Sequence, residues 1–210
     1  MSSRAQASDA PYRAETPYRW NGSIVAIAAS TGGVEAITRV LQDFPSDGPP
    51  VLVVQHMPGG GITGLFAHRI DRQLRPHVVE AENAMPIAQG MVYIAPGGDR
   101  HLTVAPGRPP SCRLIAAPPV NGHRPSADIL FRSLAAWPPD KVVAAILTGM
   151  CDDGAESLLQ LRCRGMRTIG QDAASALVYG MPRAAAERGA VEEVLPLAGI
   201  GRRILELCQC

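Results

Sequence analysis

Short aliphatic runs alternate along the chain with stretches whose apolar positions recur every three or four residues. Residues 24–28 form a continuous run of strand length, and Val34, Ile37, Val40 and Leu41 follow at helical spacing before Pro45 and Gly48 break the chain. The uninterrupted run 51–54 completes a β-α-β unit, and a second helix is expected from Ile62 through Leu65, Phe66 and Ile70 to about Leu74. Between residues 78 and 116 the pattern shortens to three β-like segments, 91–95, 101–104 and 112–115, parted by Pro and Gly turns. These read as a small antiparallel insertion. Helical spacing returns from Ser126 with Ile129, Leu130 and Leu134, followed by a strand over 142–147, a loop over 148–152 and a helix from about Asp153 carrying Leu158, Leu159 and Leu161. A strand at 168–171, a helix at 182–188 with proline near its first turn and a last helix over 200–207 complete the chain. The alternation predicts an α/β fold, a doubly wound, mostly parallel sheet with a small antiparallel insertion.

Residues 1–22 are polar and rich in small side chains, with Pro-Tyr-Arg at 11–13 and again at 17–19, and read as a flexible tail before a single domain over 23–210. The repeated tripeptide is either a docking motif or a chance match in a proline-containing tail. No stretch resembles a signal peptide or is long and apolar enough to span a bilayer. A formal net charge of +1 with scattered Lys and Arg removes the footprint of a general nucleic-acid binder. Five cysteines without a repeated Cys-x-x-Cys pattern fit reduced thiols in a cytoplasm.

In open α/β sheets ligands bind beyond the carboxyl ends of the strands, where loops and helix N-termini converge. Ser30 lies just beyond the first predicted strand, His56 ends the second, and Asp152 and Asp153 follow the run through Leu147. A nucleophile, a base and a carboxylate therefore share one rim, the composition a serine hydrolase requires. Gly32 and Gly33 allow backbone N–H groups at a helix N-terminus to approach a developing oxyanion. Each residue also has a plainer role: Ser30 or Asp153 as a helix N-cap, His56 as a loop histidine. No dinucleotide fingerprint, phosphate-binding G-x-x-x-x-G-K-[ST] or G-x-S-x-G elbow is present, and Cys208 and Cys210 alone make a poor metal site. No cofactor and no metal are expected.

Ala29-Ser30-Thr31-Gly32-Gly33, Gln55-His56-Met57-Pro58 and Leu147-Thr148-Gly149-Met150 followed by Asp153-Gly154 resemble the catalytic domain of chemotaxis protein-glutamate methylesterases. The segments 93–98, 119–126, 171–172 and 178–183 extend the resemblance in the same order, from about Ile24 to Leu205. The resemblance implies a cytoplasmic enzyme that hydrolyses glutamate γ-methyl esters on chemoreceptor helices and releases methanol, with glutamine deamidation as a related activity. It assigns the nucleophile to Ser30, the base to His56 and the orienting carboxylate to Asp153, with Thr31 and Met150 joining Gly32 and Gly33 around the oxyanion. Its implied partners are methylated chemoreceptors and a response-regulator receiver acting in trans, with neither nucleic acid nor membrane insertion involved.

Two departures stand out. Cys151 takes a position where the family usually has glycine, which would strain the loop if that position needs a positive φ. The family's usual N-terminal receiver is longer than residues 1–22, so an open, unregulated rim is expected. A catalytically impaired receptor-binding or scaffold protein of the same fold is the competing reading. For the enzyme, a histidine base predicts activity rising with pH through about 6 to 7.

Overall fold

The computed structural model describes residues 16–210. Its main sheet has seven strands in the order β3-β4-β2-β1-β7-β8-β9, formed by β1 (Ile24–Ala29), β2 (Val51–Gln55), β3 (His77–Glu80), β4 (Met91–Ile94), β7 (Val142–Ile146), β8 (Arg167–Gln171) and β9 (Glu193–Leu195). All of its strand pairs are parallel. Strands β5 (His101–Ala105) and β6 (Ser111–Ile115) form a separate antiparallel hairpin.

The six helices are α1 (Gly33–Leu41), α2 (Ile62–Asp71), α3 (Ala127–Leu134), α4 (Ala155–Cys163), α5 (Met181–Glu187) and α6 (Leu197–Leu207). Strand alternation splits the core into two layers. Val25, Ile27, Val51, Val53, Val143 and Ala145 face α1, α2 and α6. Ile24, Ala26, Leu52, Val54, Ala144 and Ile146 face α3, α4, α5 and the hairpin. Both faces of the central strands are covered, which is why these strands read as continuous apolar runs rather than alternating ones.

Two expectations change. The segment at 91–95 belongs to the main sheet, paired in parallel with both β2 and β3, so the antiparallel insertion is the β5–β6 hairpin alone. Val92, Tyr93 and Ile94 are fully buried, and a strand buried on both faces looks the same in sequence whichever way its neighbours run. The edge strands β3 and β9, of four and three residues, are too short to announce themselves.

The tail expected over 1–22 also changes. Residues 1–15, including the first Pro-Tyr-Arg, lie outside the described residues. Residues 16–22 are held against the C-terminal segment instead of lying free. The Tyr18 N–H donates to Asp47 Oδ2 and its hydroxyl to the Leu205 carbonyl, while Trp20 bridges Gln209. The Asn21 N–H donates to Cys208 and the Cys210 N–H to Arg19. No helix among the described residues is long and apolar enough to cross a membrane.

If this clasp contributes to folding, Tyr18→Phe lowers the unfolding free energy by about 1 kcal/mol, the usual net value of one hydrogen bond. Tyr18→Ala, which also removes the ring from its packing against the α1–α6 layer, lowers it by about 2 kcal/mol. Urea denaturation measures both, and midpoints equal to the parent's would show that the segment is not held in solution.

Candidate functional site

Strand β1 sends the chain to α1 on one face, whereas its neighbour β7 sends it to α4 on the other. The two loops diverge and leave a crevice at the carboxyl edge, the expected location of a site. Ser30 follows β1 at this edge, its N–H donating to Thr148 O (2.9 Å) and its carbonyl accepting from the Gly33 N–H (2.8 Å). His56 follows β2, which pairs with β1 through Ala29 and Gln55, so Ser30 and His56 continue adjacent strands. Gln55 ties them together: its Nε2 donates to both the Ser30 carbonyl (2.9 Å) and the His56 carbonyl (3.0 Å).

Neither serine nor aspartate is spent as a helix cap. The cap of α1 is Gly32 and that of α4 is Gly154, both at positive φ with no side-chain cap bond. The Ser30 hydroxyl has no hydrogen-bond partner among the described residues. The Asp153 side chain is fully buried, and its Oδ2 accepts from His56 Nε2 at 2.9 Å. The same oxygen accepts the Ala127 N–H (2.6 Å), and Oδ1 accepts the Ser126 hydroxyl (2.7 Å). The carboxylate thus rests on the first turn of α3, where the helix dipole and free N–H groups favour negative charge. Burial would raise the Asp153 pKa, but the bonds from His56, Ser126 and Ala127 outweigh it and hold the group below the usual carboxylate value.

Asp152 is different. It is half-exposed and pairs with Arg188 at 2.8 Å, with no bond to His56.

For His56 burial works toward a lower pKa, yet hydrogen bonding to Asp153 and then to Cys151 raises it to about 9. That exceeds the 6 to 7 expected of an ordinary histidine base. With Nε2 donating to Asp153, the free lone pair sits on Nδ1, and the Cys151 Sγ lies 3.8 Å from that nitrogen. The His123 ring stacks on His56 with centroids 3.9 Å apart and planes 2° from parallel. Burial, then the neighbouring His56 charge, lowers the His123 pKa. Cys151 itself carries no backbone strain: the positive-φ non-glycine residues among those described are Ala84 and Asn121.

Of the residues proposed around an oxyanion, Gly33 has its N–H committed to Ser30. Its lack of a side chain serves packing, since a Cβ there would come within 2.0 Å of Gln55 Oε1. The N–H groups of Thr31, Gly32 and Met150 have no acceptor among the described residues, which leaves them free to meet a ligand. The Met150 side chain is 78% exposed. Its loop is pinned from behind, as the Gly149 N–H donates to Val178 O and the Gly149 carbonyl accepts from the Gly180 and Met181 N–H groups.

Sequence reasoning passed over Gln55, His101, Asn121, His123, Ser126 and Thr148. Buried His101 accepts the Ser126 N–H at Nδ1 and so donates from Nε2 to the Pro118 carbonyl, fixing the residue that binds Asp153. Asn121 donates to Asp128 Oδ2, and Thr148 Oγ1 to Thr31 O. The only signal for several of them was membership of the 119–126 segment. A cavity of about 290 Å³ opens beside the pair, lined by His56, Met57, Pro58, Gly122, His123, Arg124 and Pro125.

Residues 25–204 match the family model described as CheB methylesterase. A protein-glutamate methylesterase/protein-glutamine glutaminase of Agrobacterium fabrum is 47% identical over 99% of this chain, and one of Gluconobacter oxydans is 54% identical over 90%. The chain spans only 62% and 54% of the lengths of these two relatives. The crystal structure of the Thermotoga maritima CheB methylesterase catalytic domain superposes with a TM-score of 0.84 at 34% identity, covering 89% of this chain and 99% of that one.

The raised pKa fixes a sign. The His56 pairing adds stability that is fully present below pH 6.5 and is lost as the pH rises through about 9. An NMR titration should find His56 titrating near 9, His123 below 6.5, and His56 moving down in Cys151→Ala. A His56 midpoint at or below 6.5 would contradict the upward shift attributed to Asp153 and Cys151.

Proposed function

Because this chain belongs to the CheB methylesterase family, we propose that it hydrolyses protein glutamate γ-methyl esters with Ser30 as nucleophile, His56 as base and Asp153 as orienting carboxylate. The observation that carries this reading is the His56–Asp153 bond, made by a fully buried carboxylate at the edge where Ser30 follows the neighbouring strand.

In this mechanism Ser30 Oγ attacks the ester carbonyl while His56 Nδ1 takes its proton. Asp153 holds the Nε2–H tautomer and stabilises the imidazolium that forms. The free N–H groups of Thr31, Gly32 and Met150 are the candidate donors to the oxyanion. Collapse of the tetrahedral intermediate passes the proton from His56 to the departing methoxide, giving methanol and an acyl-enzyme. Water then attacks the acyl carbon with His56 again as base, and the products are the glutamate carboxylate and free Ser30. The relatives' names also specify glutaminase activity. The same cycle deamidates glutamine when ammonia leaves in place of methanol. Methylated chemoreceptors are the proposed substrates, a receiver acting in trans the proposed regulator and the cytoplasm the proposed location.

One observation favours the impaired-scaffold reading: Cys151 sits against the nitrogen that must receive the serine proton. Replacing it with the family's usual glycine separates the two. A parent that releases no methanol alongside an active Cys151→Gly variant would favour the scaffold.

For the enzyme, methanol release from a methylated receptor fragment should fall on the order of a thousandfold or more in folded Ser30→Ala and His56→Ala, since triad members act as a unit. Asp153→Asn should be comparably severe through the wrong tautomer, and Asp152→Asn mild. The reverse ranking of the two aspartates would show that the wrong carboxylate is assigned. Because only neutral imidazole accepts a proton, kcat/KM should climb with pH toward about 9 in the parent. A flat profile would remove His56 from the role of base.

A further inference from the structure

We propose that His56, Cys151 and His123 form a binding site for a soft divalent cation of the zinc class, and that occupancy silences the esterase by taking the His56 nitrogen. The inhibitory half rests on the reading of His56 as base; the binding half does not.

One ligand atom from each of the three residues can be chosen so that all lie within 4.8 Å of one another. Imidazole and thiolate are the donors that zinc prefers, and a tetrahedral zinc with its usual bond lengths places a sulfur and a nitrogen about 3.6 Å apart. The Cys151 Sγ to His56 Nδ1 separation is already 3.8 Å. Behind the ring, Asp153 accepts from His56 Nε2 at 2.9 Å. A carboxylate on the far nitrogen of a metal-binding histidine fixes the tautomer and raises ligand basicity. The arrangement that prepares His56 as a base therefore also prepares it as a ligand.

The third donor needs one adjustment. Stacked, parallel rings direct their lone pairs side by side, so His123 must turn for its nitrogen to converge with that of His56. Its ring nitrogens have no hydrogen-bond partner among the described residues to give up. It also follows Asn121 and Gly122, both at positive φ in an exposed turn. The nearby Arg124 guanidinium is engaged by the carbonyls of Gly98 (2.8 Å) and Ala117 (3.0 Å). The fourth position is left to water or substrate, the composition of an open zinc site. Metal on Nδ1 excludes the Ser30 proton from the same lone pair.

Titrating the full, metal-free chain with cobalt(II) tests binding without reference to catalysis. One equivalent should produce a thiolate-to-cobalt charge-transfer band that zinc abolishes by displacement. The band should vanish in Cys151→Ala, with Cys151→Gly in reserve if that variant fails to fold. His123→Ala should weaken binding by about tenfold or more, since losing a ligand costs at least as much as losing a supporting contact. Cys163→Ser/Cys210→Ser should keep the band. A band that survives in Cys151→Ala and disappears in the double variant means an adventitious ion on surface thiols, and overturns the site. In parallel, zinc should inhibit methanol release by the parent, a chelator should restore it, and Cys151→Ala should need about tenfold or more zinc for the same inhibition. Cobalt bound at Cys151 without inhibition by zinc would overturn the silencing. An active parent, inactivated by Ser30→Ala but giving no cobalt band, would overturn the metal site and leave the proposed function standing.

Discussion

A fully buried carboxylate is costly to ionise unless nearly every lone pair is met, and Asp153 meets that demand with donors from separate parts of the chain. His56 comes from the end of β2, and the Ser126 hydroxyl and Ala127 N–H from the start of α3. The loop after β7 carries Asp153 itself. The same ties extend outward: Asp128 receives the Ser157 N–H and Asn121, and His101 receives the Ser126 N–H. Removing this one charge would unsettle α3, the 119–126 segment and the imidazole at once. The fold and the site are thus bound at a single residue.

That convergence explains which parts could be read in advance. Strands β1, β2, β7 and β8 were legible because burial on both faces demands continuous aliphatic runs, and glycine-containing loops mark where they end. The positions of Ser30, His56 and Asp153 at one edge were legible because a doubly wound sheet puts successive strand ends on one rim. Direction was not legible for 91–95, whose residues satisfy a parallel or an antiparallel neighbour equally. Nor was the docking of Tyr18, which depends on Asp47 and on the distant carbonyl of Leu205.

The supporting shell was hidden for a related reason. Gln55 ends a buried strand, His101 begins a hairpin, and Ser126 precedes a helix; each position has a sufficient local explanation. Their shared task appears only when the 119–126 segment crosses to Asp153, a contact between residues 26 and 27 positions apart. No periodicity reports such an approach. The choice between Asp152 and Asp153 shows the same limit. The two are chemically identical and adjacent, and what separates them is that one is held at the N-terminus of α3 while the other meets Arg188 in solvent.

Cys151 carries the argument past the shared fold. Its φ is not in the left-handed region, so a side chain at this position costs the loop no conformational penalty on that account. What changes is the neighbourhood of Nδ1, where a polarisable thiol now sits at 3.8 Å and helps to hold His56 in its charged form. In the proposed role of base, an imidazole whose pKa is raised to about 9 would be mostly protonated at neutral pH. In the proposed mechanism, the second imidazole nitrogen is the point that Ser30, Cys151 and any bound cation would have to share.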